Sequence, residues 1–143
     1  CACGCYPAAA GVAESPRLHH FWSCPLVRPL WDELEVCCGC GVTREHVWLC
    51  VSPDPTTVLQ CVWDVVALAA LNAMEWTRRY IHSHRLSGPA LPAAMRSGLL
   101  AKFWALLRDF AALGLPRKGW GDVGVDHPFL FVTGGRLVCA MPP

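Results

Sequence analysis

The amino-acid sequence predicts an all-α fold with an N-terminal Cys/His segment, a short helix, a long antiparallel αα-hairpin and an irregular C-terminal tail. Two segments, residues 56–85 and 93–113, repeat apolar side chains at helical spacing over several turns. Of the 143 residues, 54% are hydrophobic and 16% are charged, whereas the usual charged fraction is about 25%. Such a chain can bury a sizeable core, and its length fits one domain.

Composition divides the chain into four parts: residues 1–36, 37–55, 56–114 and 115–143. They are a Cys/His segment with the helix after it, a connector, the helical hairpin and a tail packed on the helices. The chain opens at Cys1 without a signal-peptide pattern, so we expect a fragment of a longer polypeptide. A net charge of +1 lacks the basic excess of a dedicated nucleic-acid binder, so any phosphate contact should be local.

Residues 25–36 predict the first helix, because Pro25 can occupy a first helical turn and one face is apolar. That face consists of Leu26, Val27, Leu30, Trp31 and Leu34. Two glycines within residues 37–41 end the helix. Residues 46–51 form a short apolar run before Ser-Pro-Asp-Pro, which indicates either a brief strand or an extended connector.

The strongest helical pattern covers residues 56–85, which Thr56 or Thr57 can cap. Its polar stripe contains Gln60, Asp64, Asn72, Glu75, Arg79 and His82. Its apolar face contains Val58, Val62, Val65, Val66, Ala69, Ala73, Trp76 and Tyr80. The run 58–74 could be taken for a membrane span, but its length is marginal and Asp64 would be costly in lipid. A buried core helix is therefore favoured.

A second long helix is predicted over residues 93–113, between a turn at residues 87–92 and the stop at Gly114. One side of it carries Leu99, Leu100, Phe103, Leu106, Leu107 and Phe110. Two complementary apolar faces joined by a short link predict the antiparallel αα-hairpin. Residues 115–143 are expected to be irregular, with at most a short hairpin around residues 133–136.

The first 24 residues concentrate metal-ligating side chains, and the candidate ligands are Cys1, Cys3, Cys5, His19 and Cys24. Thiolates and an imidazole hold Zn²⁺ tetrahedrally, and a segment this short has no core to fold around without an ion. Cys1 with Cys5 has the better geometry, Cys3 could bind with a cysteine further upstream, and His20 could replace His19. Four protein ligands would make the zinc structural rather than catalytic.

The ten cysteines indicate an intracellular, nuclear or cytoplasmic protein, because long amphipathic helices are rare in small disulfide frameworks. An alternative is that these cysteines are reduced thiols and that His19 and His20 only open a helix. No motif for nucleophilic, nucleotide-dependent or zinc-protease catalysis is found, so no catalytic residue is assigned. His46 and Cys50 have the spacing of a Cys/His dyad, but a buried thiol beside a connector is favoured.

The run from His19 to Pro25, His-His-Phe-Trp-Ser-Cys-Pro, continues through an apolar helix to Trp31. It resembles the zinc-binding region that follows the reverse transcriptase domain in non-LTR (LINE-type) retrotransposon polyproteins. There a C-x2-C pair precedes His-x4-Cys-Pro, whereas this chain offers Cys1, Cys3 and Cys5. The resemblance covers residues 1–34 and implies a non-catalytic, nucleic-acid-binding accessory region, with the rest of a larger polyprotein upstream.

Candidate nucleic-acid contacts combine basic and aromatic side chains, which bind strands by charge and stacking. They are Arg17, Phe21, Trp22, Arg28, Arg78, Arg79, His82 and Arg85. The last four form a local basic cluster with His84, although cations at the end of a helix also stabilise its dipole. Arg117 and Lys118 beside Trp120 form a weaker candidate, for which a solvated turn is the favoured interpretation. The expected partner is RNA or DNA, and no membrane.

Two further function classes compete with nucleic-acid binding. One is a helical protein-interaction module, in which the seven tryptophans form binding surfaces, the cysteines are incidental and no metal binds. The other is a membrane-associated fragment built on residues 58–74. Zinc content and the salt dependence of RNA binding separate the three classes.

Overall fold

Helices make up most of the computed structural model, which describes residues 15–112, 130–133 and 136–139. The helices are α1 (Pro16–Leu18), α2 (Arg28–Cys38), α3 (Arg44–Trp48), α4 (Gln60–Ser83) and α5 (Leu91–Ala112), with a π-helical turn at His19–Ser23. Two short strands, β1 (Leu130–Thr133) and β2 (Arg136–Cys139), pair antiparallel. The mostly helical fold expected from the sequence is confirmed.

Helix α2 starts three residues later than the sequence predicts, because residues 25–27 form a turn ahead of it. Pro29 then lies in the first helical turn, where its missing N–H costs nothing. The helix ends at Gly39, whose φ of 65° is left-handed and whose N–H donates to the Glu35 carbonyl over 3.1 Å. Glycine adopts this conformation without a steric penalty.

Residues 44–48 form helix α3, so the expectation of a strand or an extended connector there is wrong. Thr43 precedes the helix, and its N–H donates to Nδ1 of His46 over 3.1 Å. This is a capping box in which histidine takes the place that Glu or Gln usually holds. Because histidine replaces the usual Glu or Gln, a search for the common capping-box motif does not find the start of this helix.

Helix α4 begins at Gln60 with Leu59 as its N-cap, so the predicted cap at Thr56 or Thr57 is wrong. Thr56 instead bonds to the Asp54 carboxylate, with its N–H at 2.9 Å and its hydroxyl at 2.6 Å.

The Gln60 side chain connects the preceding loop to the helix through two hydrogen bonds. It donates to the Cys50 carbonyl at 2.7 Å and accepts the Ser52 N–H at 2.9 Å.

Helices α4 and α5 pack against each other and supply most of the core. Their fully covered side chains include Val66, Trp63, Met74, Leu99, Phe103 and Leu107, and α2 adds Leu30, Trp31 and Leu34. The expected apolar face of α4 is right in its first half and wrong at its end. Trp76 and Tyr80 are 39% and 37% exposed, respectively. Among residues 15–112, no helix is both long enough and apolar enough to cross a bilayer.

The strand register pairs Thr133 with Arg136, where the sequence predicts at most a short hairpin. Strand β2 lies beside α5. The rest of the predicted irregular tail, including Arg117, Lys118 and Trp120, lies outside the described residues.

Cys50 is exposed and its Sγ donates to the Asp64 carboxylate over 3.5 Å, so the expected buried thiol is wrong. Nδ1 of His46 accepts the Thr43 N–H, so the two side chains of the candidate Cys/His dyad are held by different neighbours.

Cys38 should be far less reactive than Cys50 in the folded protein. Burial raises the pKa of the Cys38 thiol to about 12, so it carries almost no thiolate at pH 8. Brief treatment with iodoacetamide, followed by peptide mass spectrometry, should label Cys50 and leave Cys38 unmodified. In urea both should be labelled, and rapid labelling of Cys38 without urea would contradict its burial.

Candidate nucleic-acid interface

The second half of α4 forms one wall of a basic cleft of about 530 Å³. The basic side chains in it are Arg78, Arg79, His82 and Arg85, together with His20 from the π-helical turn. The structure therefore brings together four of the residues predicted to contact nucleic acid. It adds His20, which the sequence suggested only as an alternative metal ligand.

Glu75 is the acidic member of this cleft and bonds to two of its arginines. Arg79 Nε lies 2.9 Å from Glu75 Oε1, and Arg78 Nη1 lies 3.3 Å from Oε2. The hydrogen bond from Arg79 lowers the pKa of Glu75, so the carboxylate is charged at neutral pH. Three arginines facing one carboxylate leave the cleft with a net positive charge, which suits an anionic ligand.

The His20 imidazole adds little positive charge to the cleft. Burial lowers its pKa below the ordinary value, and the nearby positive charge of Arg78 lowers it further. The ring is therefore mostly neutral at pH 7. Its Nε2 atom is buried and has no hydrogen-bond partner among the described residues.

An aromatic stack is formed by Trp76 and Tyr80 on α4 and by His84, the residue that caps the C-terminus of the helix. The Trp76 and Tyr80 ring centroids are 5.5 Å apart with 23° between the planes, and those of Tyr80 and His84 are 4.1 Å apart at 28°. Helical spacing of four residues produces this alignment. Lys102 Nζ from α5 lies 5.4 Å from the Trp76 ring centroid, within cation–π range.

The sequence missed this stack because its periodicity assigns both Trp76 and Tyr80 to the buried face. Their i, i+4 spacing with His84 was the available signal. We define the basic cleft and the aromatic stack together as the α4 interface.

The other predicted contacts lie elsewhere. Arg28 is paired on its own helix, with Nε 2.7 Å from Asp32 Oδ1 and Nη2 3.8 Å from Glu35 Oε2. Trp22 is half-buried, and its ring centroid lies 5.2 Å from that of Trp31. The structure therefore leaves Arg28 with little unbalanced charge and covers part of the Trp22 ring.

Arg17 and Phe21 line a second, mostly apolar cleft of about 420 Å³ between the N-terminal segment, α3 and α4. Trp48, Val47, Leu71 and Asn72 complete its walls, and Glu75 is shared with the basic cleft. The predicted contact residues thus divide among the π-helical turn, α2, this apolar cleft and the basic cleft.

The two candidate metal ligands that the structure describes are both buried, His19 at 6% exposure and Cys24 at 1%. The Cys24 N–H donates to the His19 carbonyl over 2.8 Å, the hydrogen bond that closes the π-helical turn. Cys1, Cys3 and Cys5 lie outside the described residues. Within the described part of the chain, no three His, Cys, Asp or Glu side chains are grouped as metal ligands would be.

An imidazole and a thiol held on one turn and shielded from water fit the donor chemistry of structural zinc. π-Helical turns occur often at functional sites. Comparison with protein-family models, with curated proteins and with solved structures finds no match.

Proposed function

We propose that this chain binds single-stranded nucleic acid through the α4 interface, as a non-catalytic accessory region of a retroelement reverse transcriptase. The observation that supports this most directly is the basic cleft beside an exposed aromatic stack on the same helix. Proteins that bind single strands pair a positive groove, which follows the phosphates, with rings on which bases stack. The resemblance of residues 19–31 to LINE-type polyproteins supports the same class.

Zinc is part of the proposal. His19 and Cys24 would supply two ligands and two of Cys1, Cys3 and Cys5 the others, which would hold the N-terminal segment against α2. Thiolate ligands require a reducing compartment, in keeping with an intracellular, nuclear or cytoplasmic protein. When bound, the ion would act structurally.

We also place α4 and α5 antiparallel, as an αα-hairpin. Helix α4 has 24 residues and is about 36 Å long, whereas the link from Ser83 to Leu91 can span less than about 30 Å. Such a link cannot return to the start of α4. The closed hairpin keeps Lys102 beside Trp76, which adds one more positive charge to the aromatic stack.

Binding of a fluorescein-labelled oligouridylate tests the proposal. If Arg78, Arg79 and Arg85 each contact one phosphate, log K should fall with log salt at a slope of about −2, or about twentyfold between 50 and 200 mM salt. Replacing both Arg78 and Arg79 with Gln should reduce the slope by about 1.4. Fluorescence anisotropy across the salt series measures both quantities.

The matched control replaces Arg44 and Arg96 with Gln, which removes the same charge from exposed positions outside the cleft. We expect this control to keep the wild-type slope. Binding that does not respond to salt, or an equal loss in both double variants, would rule out the cleft as the phosphate site.

A protein-interaction module is the alternative function, and one observation favours it. Trp48, Leu49 and Val51 are exposed apolar side chains close together in the chain. Such a patch can bind a partner protein. In that case oligouridylate should not bind even at 50 mM salt, and the purified protein should contain no zinc.

A further inference from the structure

We propose that the apolar cleft and the basic cleft together hold one nucleotide, with an adenine base in the first and its phosphate in the second. This inference deepens the proposed function and rests on it, because it places one nucleotide of the bound strand in a specific site. It also names a small ligand, adenosine 5′-monophosphate, that the site should bind without the rest of the strand.

The two clefts are adjacent, because two consecutive residues line one cleft each. His20 lines the basic cleft and Phe21 the apolar one, with ring centroids 4.8 Å apart and planes at 84°. Glu75 lines both clefts. A ligand that has an aromatic part and an anionic part, separated by one short linker, would therefore reach both.

The apolar cleft has the size and chemistry for a base. Its volume of about 420 Å³ lies within the usual range for small-ligand sites. Phe21 and Trp48 meet edge to face, with centroids 6.5 Å apart and planes at 73°. Two rings at this angle offer one face for stacking and one edge for contact.

Asn72 makes adenine the best-fitting base. Its Nδ2 donates to the Leu68 carbonyl over 2.8 Å, which fixes the orientation of the amide at the wall of the cleft. The Oδ1 atom can accept from the exocyclic amino group of adenine, and the second Nδ2 hydrogen can donate to N7. Asn makes this bidentate pair with N6 and N7 of adenine in the major groove of DNA, where the same edge of the base is accessible.

The shared Glu75 and the arginines beyond it fit the rest of the nucleotide. The Glu75 carboxylate, charged and positioned by Arg78 and Arg79, can accept hydrogen bonds from the ribose hydroxyls at the junction of the clefts. Carboxylates recognise ribose in dinucleotide-binding proteins by the same contact. Guanidinium groups with open donors then face the phosphate.

Isothermal titration of the full chain with adenosine 5′-monophosphate, adenosine and inorganic phosphate tests the inference. We expect one nucleotide per chain, bound at least tenfold more tightly than either part. Trp48→Ala, at a residue 53% exposed, should weaken nucleotide binding at least tenfold, and so should Arg79→Gln. The controls Leu49→Ala and Arg96→Gln, at exposed positions outside both clefts, should change the affinity for the nucleotide less than twofold.

Nucleotide binding no tighter than that of phosphate alone, or unaffected by Trp48→Ala, would overturn the inference. If oligouridylate binds with the expected salt dependence while the nucleotide does not, the inference fails and the proposed function stands. If the nucleotide binds and the oligonucleotide does not, the proposed function fails and the clefts form a separate nucleotide site.

Discussion

Replacing Trp63 with alanine is expected to lower the free energy of unfolding by about 3–5 kcal/mol, the usual cost of truncating a large core aromatic residue. Trp63 is 0% exposed and lies within the core cluster built from α2, α4 and α5. Its Nε1–H donates to the His46 carbonyl over 2.9 Å. The indole therefore joins α3 to α4, and the substitution removes both the packing and this hydrogen bond.

Urea unfolding measured by circular dichroism tests this prediction. Trp63→Phe should cost less, about 1–2 kcal/mol, because most of the ring packing is kept and only one hydrogen bond is lost. The His46 carbonyl also accepts the Val51 N–H over 3.0 Å, so it is not left without a donor. Trp48→Ala, at a half-exposed residue, should cost only about 1 kcal/mol, mainly for the lost edge-to-face contact with Phe21. A Trp63→Ala variant as stable as Trp48→Ala would contradict the described core.

Native mass spectrometry should find one zinc ion per chain in the wild type and none in His19→Gln. Zinc-finger peptides gain about 10–16 kcal/mol of apparent binding free energy at pH 7, and losing one of four ligands removes much of it. A carboxamide is a poor substitute for an imidazole as a zinc ligand. His19 is the informative position. It is only 6% exposed and lies in the π-helical turn, so its imidazole is a buried nitrogen donor.

His20→Gln is the matched control, since His20 adjoins His19 but lines the basic cleft instead. It should keep its zinc and weaken oligouridylate binding. Cys24→Ser should also lose the ion, but Cys24 lies in the core, so this variant would destabilise the fold in either case. A wild-type protein without zinc, or loss of zinc in His20→Gln with retention in His19→Gln, would overturn the ligand assignment.

The two long helices could be predicted from the sequence to within four residues at the described ends. Helix α4 was expected from residue 56 to residue 85 and runs from Gln60 to Ser83. Helix α5 was expected to start at residue 93 and starts at Leu91. Periodicity is reliable there because it averages over many turns. Pro92 shows the limit of local signals. The sequence assigned it to a turn, yet it lies in the first turn of α5, where its missing N–H is tolerated.

Helix α3 was missed because five residues span little more than one turn and give no period to measure. The aromatic stack was missed for a different reason. Periodicity defines the apolar side of α4, but the width of the face that its neighbours cover depends on where α2 and α5 pack. That coverage leaves Trp76 and Tyr80 partly exposed.

The sequence by itself therefore determined the helical class, the positions of the two long helices and the concentration of arginines and histidines near the end of α4. All of these depend on residues close together in the chain. Only the tertiary structure decided that His20 joins the basic cleft and that Phe21 and Trp48 form an apolar cleft beside it. These residues lie far from Glu75 in sequence. Helix packing brings them together, and local sequence propensities do not determine that packing.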